Sequence, residues 1–215
     1  MRFVRHHPSV PVPKVYCVFV HRGQSYIFMQ RIPGKMAGSA WALRSEESKR
    51  KILDQLKGMV QQLRNIEPPP GIGVSNSVGG AIYDGRLPNK SFWGPFTTAD
   101  EFHRELRDSM DLEAHYEDVP DDLQEPFAFH GQQFPRSVLT HGDLSSLNIL
   151  VRDDEVVDII DWETAGWFPP YWEYACAWNV NSYNEFWQQE VDKFLSPMPY
   201  ESRMESIRRN YFGDF

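Results

Sequence analysis

Thr140-His141-Gly142-Asp143-Leu144-Ser145-Ser146-Leu147-Asn148-Ile149-Leu150-Val151-Arg152-Asp153-Asp154-Glu155-Val156-Val157-Asp158-Ile159-Ile160-Asp161-Trp162-Glu163 decides the fold of this chain. Two short runs rich in Val and Ile, Leu147–Val151 and Glu155–Ile160, flank Arg152-Asp153-Asp154. That pattern predicts a two-stranded hairpin closed by a polar turn. Folding it about Asp153-Asp154 sets Asn148 across from Ile159, with Asp161 just beyond at the same open end. At roughly 3.3 Å per residue, the amide and the carboxylate then approach within about 7 Å. Two such oxygens suit a hard cation such as Mg²⁺, which keeps most of its waters and takes few protein ligands. Asp143 lies in the loop feeding the hairpin, where a carboxylate can reach a substrate hydroxyl. The three residues together point to metal-assisted phosphoryl transfer.

On these residues the chain resembles a known family. His141-Gly142-Asp143, Asn148 and Ile160-Asp161 are similar to the catalytic loop and metal-binding Asp of the aminoglycoside phosphotransferase and choline kinase-like family, the small-molecule branch of the protein-kinase-like fold. Protein kinases share the base Asp, the Asn further along the loop and the second, Mg²⁺-binding Asp. Gly142 stands where they usually carry Arg, and Trp162-Glu163 where they carry Phe-Gly. Both departures are typical of the small-molecule branch and argue against a protein substrate. The resemblance implies Asp143 as catalytic base, Asn148 and Asp161 as Mg²⁺ ligands, and ATP as phosphate donor. His141 reads as a hydrogen-bonder that holds the loop rather than as a proton carrier.

The chain has 215 residues, enough for one sizeable core or for one lobe and part of a second. Thirty acidic and twenty-two basic residues give a net charge of −8, which disfavours nucleic acid and anionic membrane surfaces as partners. No apolar run approaches a bilayer span, and the N-terminus lacks a secretory apolar core, so a cytoplasmic protein is expected. Cys17 and Cys176, far apart in apolar settings, suit reduced core residues rather than a disulfide or metal site.

Outward from the hairpin, the order of elements predicts an α+β fold. Val15–Val20 and Ser25–Gln30 read as a hairpin around His21-Arg22-Gly23-Gln24, approached through Pro11 and Pro13. Ser45 caps a helix with an apolar stripe of Ile52, Leu56, Met59, Val60, Leu63 and Ile66, stopped at Pro68. A long loop, Gly71 to Phe96, follows. Thr98 with Glu101 forms a capping box for a helix carrying Phe102, Leu106 and Met110. Aromatic-rich helices from about Tyr171 close the chain.

In the family, Tyr26 to Gly34 corresponds to the strand and hinge joining two lobes, whose backbone holds the adenine edge. The resemblance therefore implies Gln30 and Ile32 as hinge contacts, Met29 lining the pocket, and Leu150 and Ile160 as its apolar floor. The last two read equally well as core. It divides the chain into 1–34, a remnant of the ATP-binding small lobe with the hinge, and 35–215, a mostly helical lobe carrying the catalytic hairpin. Only two hinge-side strands of the small lobe are expected. The Gly-rich phosphate loop, the Lys and its partner Glu have no counterpart, as in an N-terminally truncated member. Gly71-Ile72-Gly73 and Gly79-Gly80 follow a helix and lead to no Lys, so they read as a flexible loop.

The expected reaction is transfer of the ATP γ-phosphate to a hydroxyl of a small molecule, impaired by the missing loop and Lys. Two alternatives stand beside it: a catalytically dead pseudokinase or small-molecule binding module, and a metal-dependent hydrolase using the same three residues on water. The hydrolase lacks further His or carboxylates at ligand spacing. Glu163, Glu173 and the run Glu117, Asp118, Asp121, Asp122, Glu125 are candidates to attract a cationic alcohol, or a solvated face. Trp167, Tyr171, Trp172 and Tyr174 read as pocket or as core. A two-stranded remnant exposes Val18, Phe19, Ile27 and Phe28, so self-association through that edge is expected.

Overall fold

The computed structural model describes residues 1–6, 10–87, 92–110, 120–179 and 185–213. Its first element of substance is a hairpin, β1 (Val15–His21) with β2 (Gln24–Met29). Arg22 and Gly23 both take positive φ, 50° and 75°, so two residues suffice for the turn. Such a turn matches the right-handed twist of the strands, and it replaces the four-residue connection expected from sequence. Both faces of the hairpin stay open: Val18, Phe19, Val20, Ile27 and Phe28 are all exposed. After the Arg31–Gly34 break, β3 (Lys35–Met36) pairs with β8 (Ile149–Arg152), which pairs in turn with β9 (Glu155–Ile159). The incoming chain also touches this sheet, since the Pro11 carbonyl accepts the Ile159 N–H at 3.1 Å.

Helix α1 (Glu46–Arg64) begins where Ser45 Oγ accepts the Ser48 N–H, at 3.2 Å. It buries Ile52, Leu53, Leu56, Val60 and Leu63, a stripe with Leu53 added, while Met59 is only partly buried and Ile66 lies past the helix end. The stripe packs against β7 (Val138–Thr140), β9 and α5 (Glu185–Phe194). The same helix grips the hairpin turn with polar groups. Ser48 Oγ donates to Asp154 Oδ1 at 2.6 Å, Gln55 Nε2 to the Asp154 carbonyl at 2.8 Å, and Gln55 Oε1 accepts the Val156 N–H at 3.1 Å. Hairpin and helix thus share an apolar seam and a polar clamp.

The Gly71–Phe96 segment is more ordered than a loop. It holds β4 (Ser75–Asn76), β5 (Ile82–Tyr83) and β6 (Phe92–Trp93). β5 pairs with β6, while β4 forms one edge of a sheet ordered β4-β10-β7, with β10 at Gly166–Phe168. Strands of two or three residues carry too little periodicity to be seen in sequence, and β3, β7 and β10 escaped for the same reason. Helix α2 (Ala99–Leu106) is capped by Thr98 Oγ1, which accepts the Glu101 N–H at 3.2 Å. Glu101 Oε2 reaches back to the Thr97 N–H at 2.7 Å, one residue earlier than a capping box requires. Met110 falls outside the helix.

A second core collects around α2, α3 (Gln124–His130), α4 (Trp172–Trp178) and α6 (Pro199–Phe212). Tyr171 and Trp172 belong to it, and Trp167 and Tyr174 to the first, so all four aromatics are buried core rather than pocket lining. Of the acidic run, Asp122 accepts a hydrogen bond from Tyr211 and Glu125 pairs with Arg203, both on α6; Glu117 and Asp118 lie outside the described residues. Cys176 is buried, its thiol pushed up to about 12 by burial, but Cys17 is exposed on β1 and is not a core residue. Among the described residues no helix is long and apolar enough to cross a membrane.

Asp158 on β9 is 2% exposed, and its Oδ1 has no hydrogen-bond partner among the described residues. Burial pushes its carboxyl up to about 7 from 3.8. A raised acid favours the fold fully below its ordinary value, and that contribution is lost as pH rises to the folded one. We therefore predict that Asp158→Asn raises Tm by on the order of 3 °C at pH 8 and by progressively less toward pH 4. Thermal melts across pH check this, and a pH-independent shift contradicts it.

Candidate active site

The loop Thr140–Asn148 is held by its own polar groups before any ligand is considered. His141 is fully buried, and burial drives its imidazole down to about 3, so it is neutral. Its Nε2 donates to the Ile160 carbonyl at 3.0 Å, which leaves Nδ1 to accept the Asp143 N–H at 3.1 Å. The ring ties the loop to the end of β9 and is spent in doing so, as a holding residue should be. Trp162 packs edge-on against it, at 4.5 Å between centroids.

Gly142 has φ +82°, and a Cβ there would meet Thr164 Oγ1 at 2.9 Å and the Thr164 carbonyl at 3.0 Å. Glycine is needed for the conformation and for the close approach alike. Thr164 Oγ1 donates to the His141 carbonyl at 3.0 Å. From below, Glu173 in the first turn of α4 accepts the N–H of His141 at 2.6 Å and of Gly142 at 3.1 Å. Burial raises the Glu173 carboxyl to about 7 even against those two bonds. This acid is 2% exposed, so it is no candidate to meet a substrate; it belongs to the scaffold of the loop.

Asp143 is partly exposed and points its carboxylate between two groups. Asn148 Nδ2 donates to Asp143 Oδ2 at 2.9 Å and to the Asp143 carbonyl at 3.0 Å. On the other oxygen, Arg86 Nη1 stands 3.8 Å from Oδ1. Burial pushes the Asp143 carboxyl above its ordinary value, while Arg86 and Asn148 pull it back. With both amide hydrogens engaged, Asn148 has only its Oδ1 left to offer, an acceptor suited to a hard cation.

The hairpin register brings Asn148 toward Asp161. A shift between Leu150 and Val151 pairs Ile149 with Ile159, so Asn148 faces Ile160 and not Ile159 as expected. Its carbonyl accepts the Ile160 N–H at 2.9 Å. The irregularity moves Asn148 one residue closer to Asp161, whose φ of +61° turns the chain at the strand end. Asp161 and Glu163 are exposed; burial and the nearby Asp161 carboxylate raise the Glu163 carboxyl above its ordinary value. Among the described residues no cluster of three or more His, Cys, Asp or Glu could hold a metal ion. The candidate set is therefore Asn148 with Asp161, a pair fit for an ion that keeps its waters.

A cleft of about 540 Å³ opens beside this end of the hairpin. Met29, Gln30, Ile32, Leu150 and Ile160 all line it, together with Pro13, Ile27, Asp161, Trp162 and Glu163. The structure thus gathers all five residues expected for nucleotide binding next to one expected for metal binding. The Gln30 N–H is taken by the Lys14 carbonyl at 2.7 Å. The Gln30 carbonyl and the Ile32 N–H have no partner among the described residues, so one acceptor and one donor remain on the hinge backbone.

Sequence reading missed Arg86 and Asp84 entirely. Arg86 Nε and Nη2 donate to Asp84 Oδ1 and Oδ2, both at 2.8 Å, and Nη2 also donates to the Gly142 carbonyl at 2.7 Å. Nothing near Asp84-Gly85-Arg86 in sequence marks it, because the loop it reaches begins for it at Gly142, 56 positions away.

Residues 1–196 match the profile of the phosphotransferase enzyme family. Among curated proteins none matches the sequence. Similar solved structures include a thermostable mutant of aminoglycoside phosphotransferase APH(4)-Ia in ternary complex with ADP and hygromycin B. It is 18% identical with a TM-score of 0.66, over 96% of this chain and 70% of that one. ADP-bound aminoglycoside phosphotransferase APH(2'')-Ib is 16% identical with a TM-score of 0.55, over 98% and 72%. Macrolide 2'-phosphotransferase MphH from Brachybacterium faecium is 18% identical with a TM-score of 0.50, over 95% and 66%. At these identities the likeness shows the fold, an α+β protein-kinase-like one. The profile match covers most of the chain and contains the whole loop-and-hairpin site, so this chain belongs to the phosphotransferase enzyme family.

Proposed function

We propose that this protein transfers the γ-phosphate of ATP to a hydroxyl of a small molecule, acting in the cytoplasm. Asp143 orients the acceptor hydroxyl and takes its proton as the new O–P bond forms. Asn148 Oδ1 and Asp161 hold Mg²⁺, which when bound offsets charge on the phosphates. The Gln30 carbonyl and Ile32 N–H receive the adenine edge, with Met29, Leu150 and Ile160 against the base. On this reading residues 1–34 are the nucleotide-side lobe with the hinge, and 35–215 the catalytic and substrate lobe, which also closes the floor of the nucleotide cleft. The observation that carries it is the Asn148 side chain: both its Nδ2 bonds run to Asp143, at 2.9 and 3.0 Å, which leaves its oxygen as the atom it can offer a cation. The solved relatives named above with ADP and hygromycin B support a nucleotide donor and a small-molecule acceptor.

A second reading, a binding module with impaired or no turnover, is favoured by the charge of the cleft. Among the described residues its lining includes two carboxylates, Asp161 and Glu163, and no Lys or Arg side chain. A triphosphate there relies on the metal for its counter-charge, and positioning with electrostatics is most of what a protein contributes to this reaction. The exposed faces of β1 and β2 also favour pairing with a second copy of the chain.

Three outcomes test these assignments. Asp143→Asn is expected to lower phosphate transfer by roughly a hundredfold or more while leaving nucleotide affinity within about twofold. Transfer at the wild-type rate removes Asp143 as the base. Asp161→Ala is expected to weaken Mg-ATP binding and to leave adenosine binding nearly unchanged, as read by calorimetry; equal losses for both count against a metal role. The 215-residue chain is expected to bind Mg-ATP with a Kd weaker than about 100 µM and to self-associate in light scattering. Low-micromolar affinity in a monodisperse monomer contradicts both parts.

A further inference from the structure

The segment Asp84–Leu87 crosses from β5 to the catalytic loop and has no part in the assignments above. Ile82 and Leu87, 1% and 4% exposed, root it in the second core. Between them, Asp84 is buried at 2% exposure and spends both oxygens on Arg86: Oδ1 accepts the Arg86 N–H at 3.0 Å and Nε at 2.8 Å, and Oδ2 accepts Nη2 at 2.8 Å. A buried carboxylate tolerates that position only when paired and hydrogen-bonded, and a planar guanidinium satisfies it in a fixed orientation. The bidentate grip leaves Arg86 little freedom. Its remaining reach is directed at the catalytic loop, with Nη2 on the Gly142 carbonyl at 2.7 Å and Nη1 at 3.8 Å from Asp143 Oδ1.

An ordinary surface ion pair would end at its partner. Here a side chain oriented by one buried acid is aimed at the backbone carbonyl before a second acid and at that acid's own oxygen. We propose that Arg86, oriented by Asp84, is a positioning residue for phosphoryl transfer, fixing the Gly142 carbonyl and flanking Asp143 Oδ1 while Asn148 holds Oδ2. The two oxygens of the candidate base are then constrained separately, one by an amide and one by a cation, and the carboxylate keeps a single orientation toward an acceptor. Gly142 is a residue that needs this help. Its positive φ makes the peptide a sharp turn, whose N–H is tied by Glu173 and whose C=O is tied by Arg86. Lysine cannot replace the arginine, since a point charge cannot grip Asp84 in a fork and reach Gly142 at once.

This inference rests on the phosphotransferase reading, and two measurements separate its failure from that of the reading. The first is steady-state release of inorganic phosphate from Mg-ATP with water as acceptor. Arg86→Ala is expected to lower kcat roughly a hundredfold with KM for Mg-ATP within about twofold, because Arg86 touches the loop and not the hinge cleft. Arg86→Lys is expected to recover little, and millimolar methylguanidinium to restore part of the Arg86→Ala rate. Asp84→Asn is expected to lower kcat as well, and to add nothing in the Arg86→Ala background. An unchanged kcat, or equal losses in kcat and affinity without rescue, overturns the proposal. The second is hydrogen exchange of the full chain by mass spectrometry. In Arg86→Ala, exchange over residues 140–147 is expected to rise about tenfold while residues 46–64 keep their protection. If the wild-type chain neither releases phosphate nor transfers it to any small-molecule hydroxyl offered, the phosphotransferase reading fails by itself, and the exchange result decides the positioning role alone. Unchanged exchange over 140–147 then overturns it.

Discussion

Glu173 is the acid on which the site depends, although it faces no solvent. It sits in the first turn of α4 at 2% exposure and accepts the consecutive N–H groups of His141 and Gly142, at 2.6 and 3.1 Å. Those amides belong to a turn that no sheet or helix can satisfy, because Gly142 has positive φ and the chain leaves β7 there. Unpaired buried amides would each cost about 1–3 kcal/mol. One carboxylate supplies both partners, and desolvation is the cost, visible in an acid raised to about 7. The loop therefore belongs to α4 as much as to the hairpin, which couples the helical core to the point where Asp143 emerges.

Around that anchor the polar groups divide into those that are spent and those that are left over. The His141 ring is spent on Ile160 and Asp143, the Thr164 hydroxyl on His141, and the Trp187 Nε1 on the Leu144 carbonyl at 2.9 Å. Asn148 gives both amide hydrogens to Asp143. Among the described residues, what remains is Asn148 Oδ1, the carboxylates of Asp161 and Glu163, an acceptor and a donor on the hinge backbone, and the partly exposed Asp143 carboxylate, already held between Asn148 and Arg86. Preorganisation of this kind lets a site act on charge as it develops without first paying to orient its dipoles. On the proposed reading, the carboxylates near the hairpin end are the reason a phosphate there needs a cation beside it.

Much of this was legible locally. The Val/Ile runs on either side of Asp153-Asp154 encode β8 and β9, because alternation and a polar turn suffice for a hairpin. Ser45 with the 3–4-spaced apolar stripe encodes α1, and Thr98 marks the start of α2 to the residue. The loop triad Asp143, Asn148 and Asp161 falls within one continuous stretch, so its spacing could be read directly. The register shift at Leu150/Val151 could not. It falls at the two residues that β3 pairs with, and it moves Asn148 opposite Ile160.

The sequence by itself determined the hairpin, the helix that clamps it, the residues of the loop and the family, since each is written in neighbouring residues or in a fixed local period. Tertiary structure decided which acid does what. Glu173 and Glu163 lie ten positions apart and look alike in sequence, yet one is buried beneath the loop and the other stands exposed at the cleft. Arg86 is an unremarkable loop arginine until the fold sets Asp84 under it and Gly142 in front of it. Burial and long-range hydrogen bonding are properties of the packed chain, and no local pattern carries them. The short strands β4, β7 and β10 are the same case: two or three residues have no period of their own, and only their neighbours in the sheet make them strands.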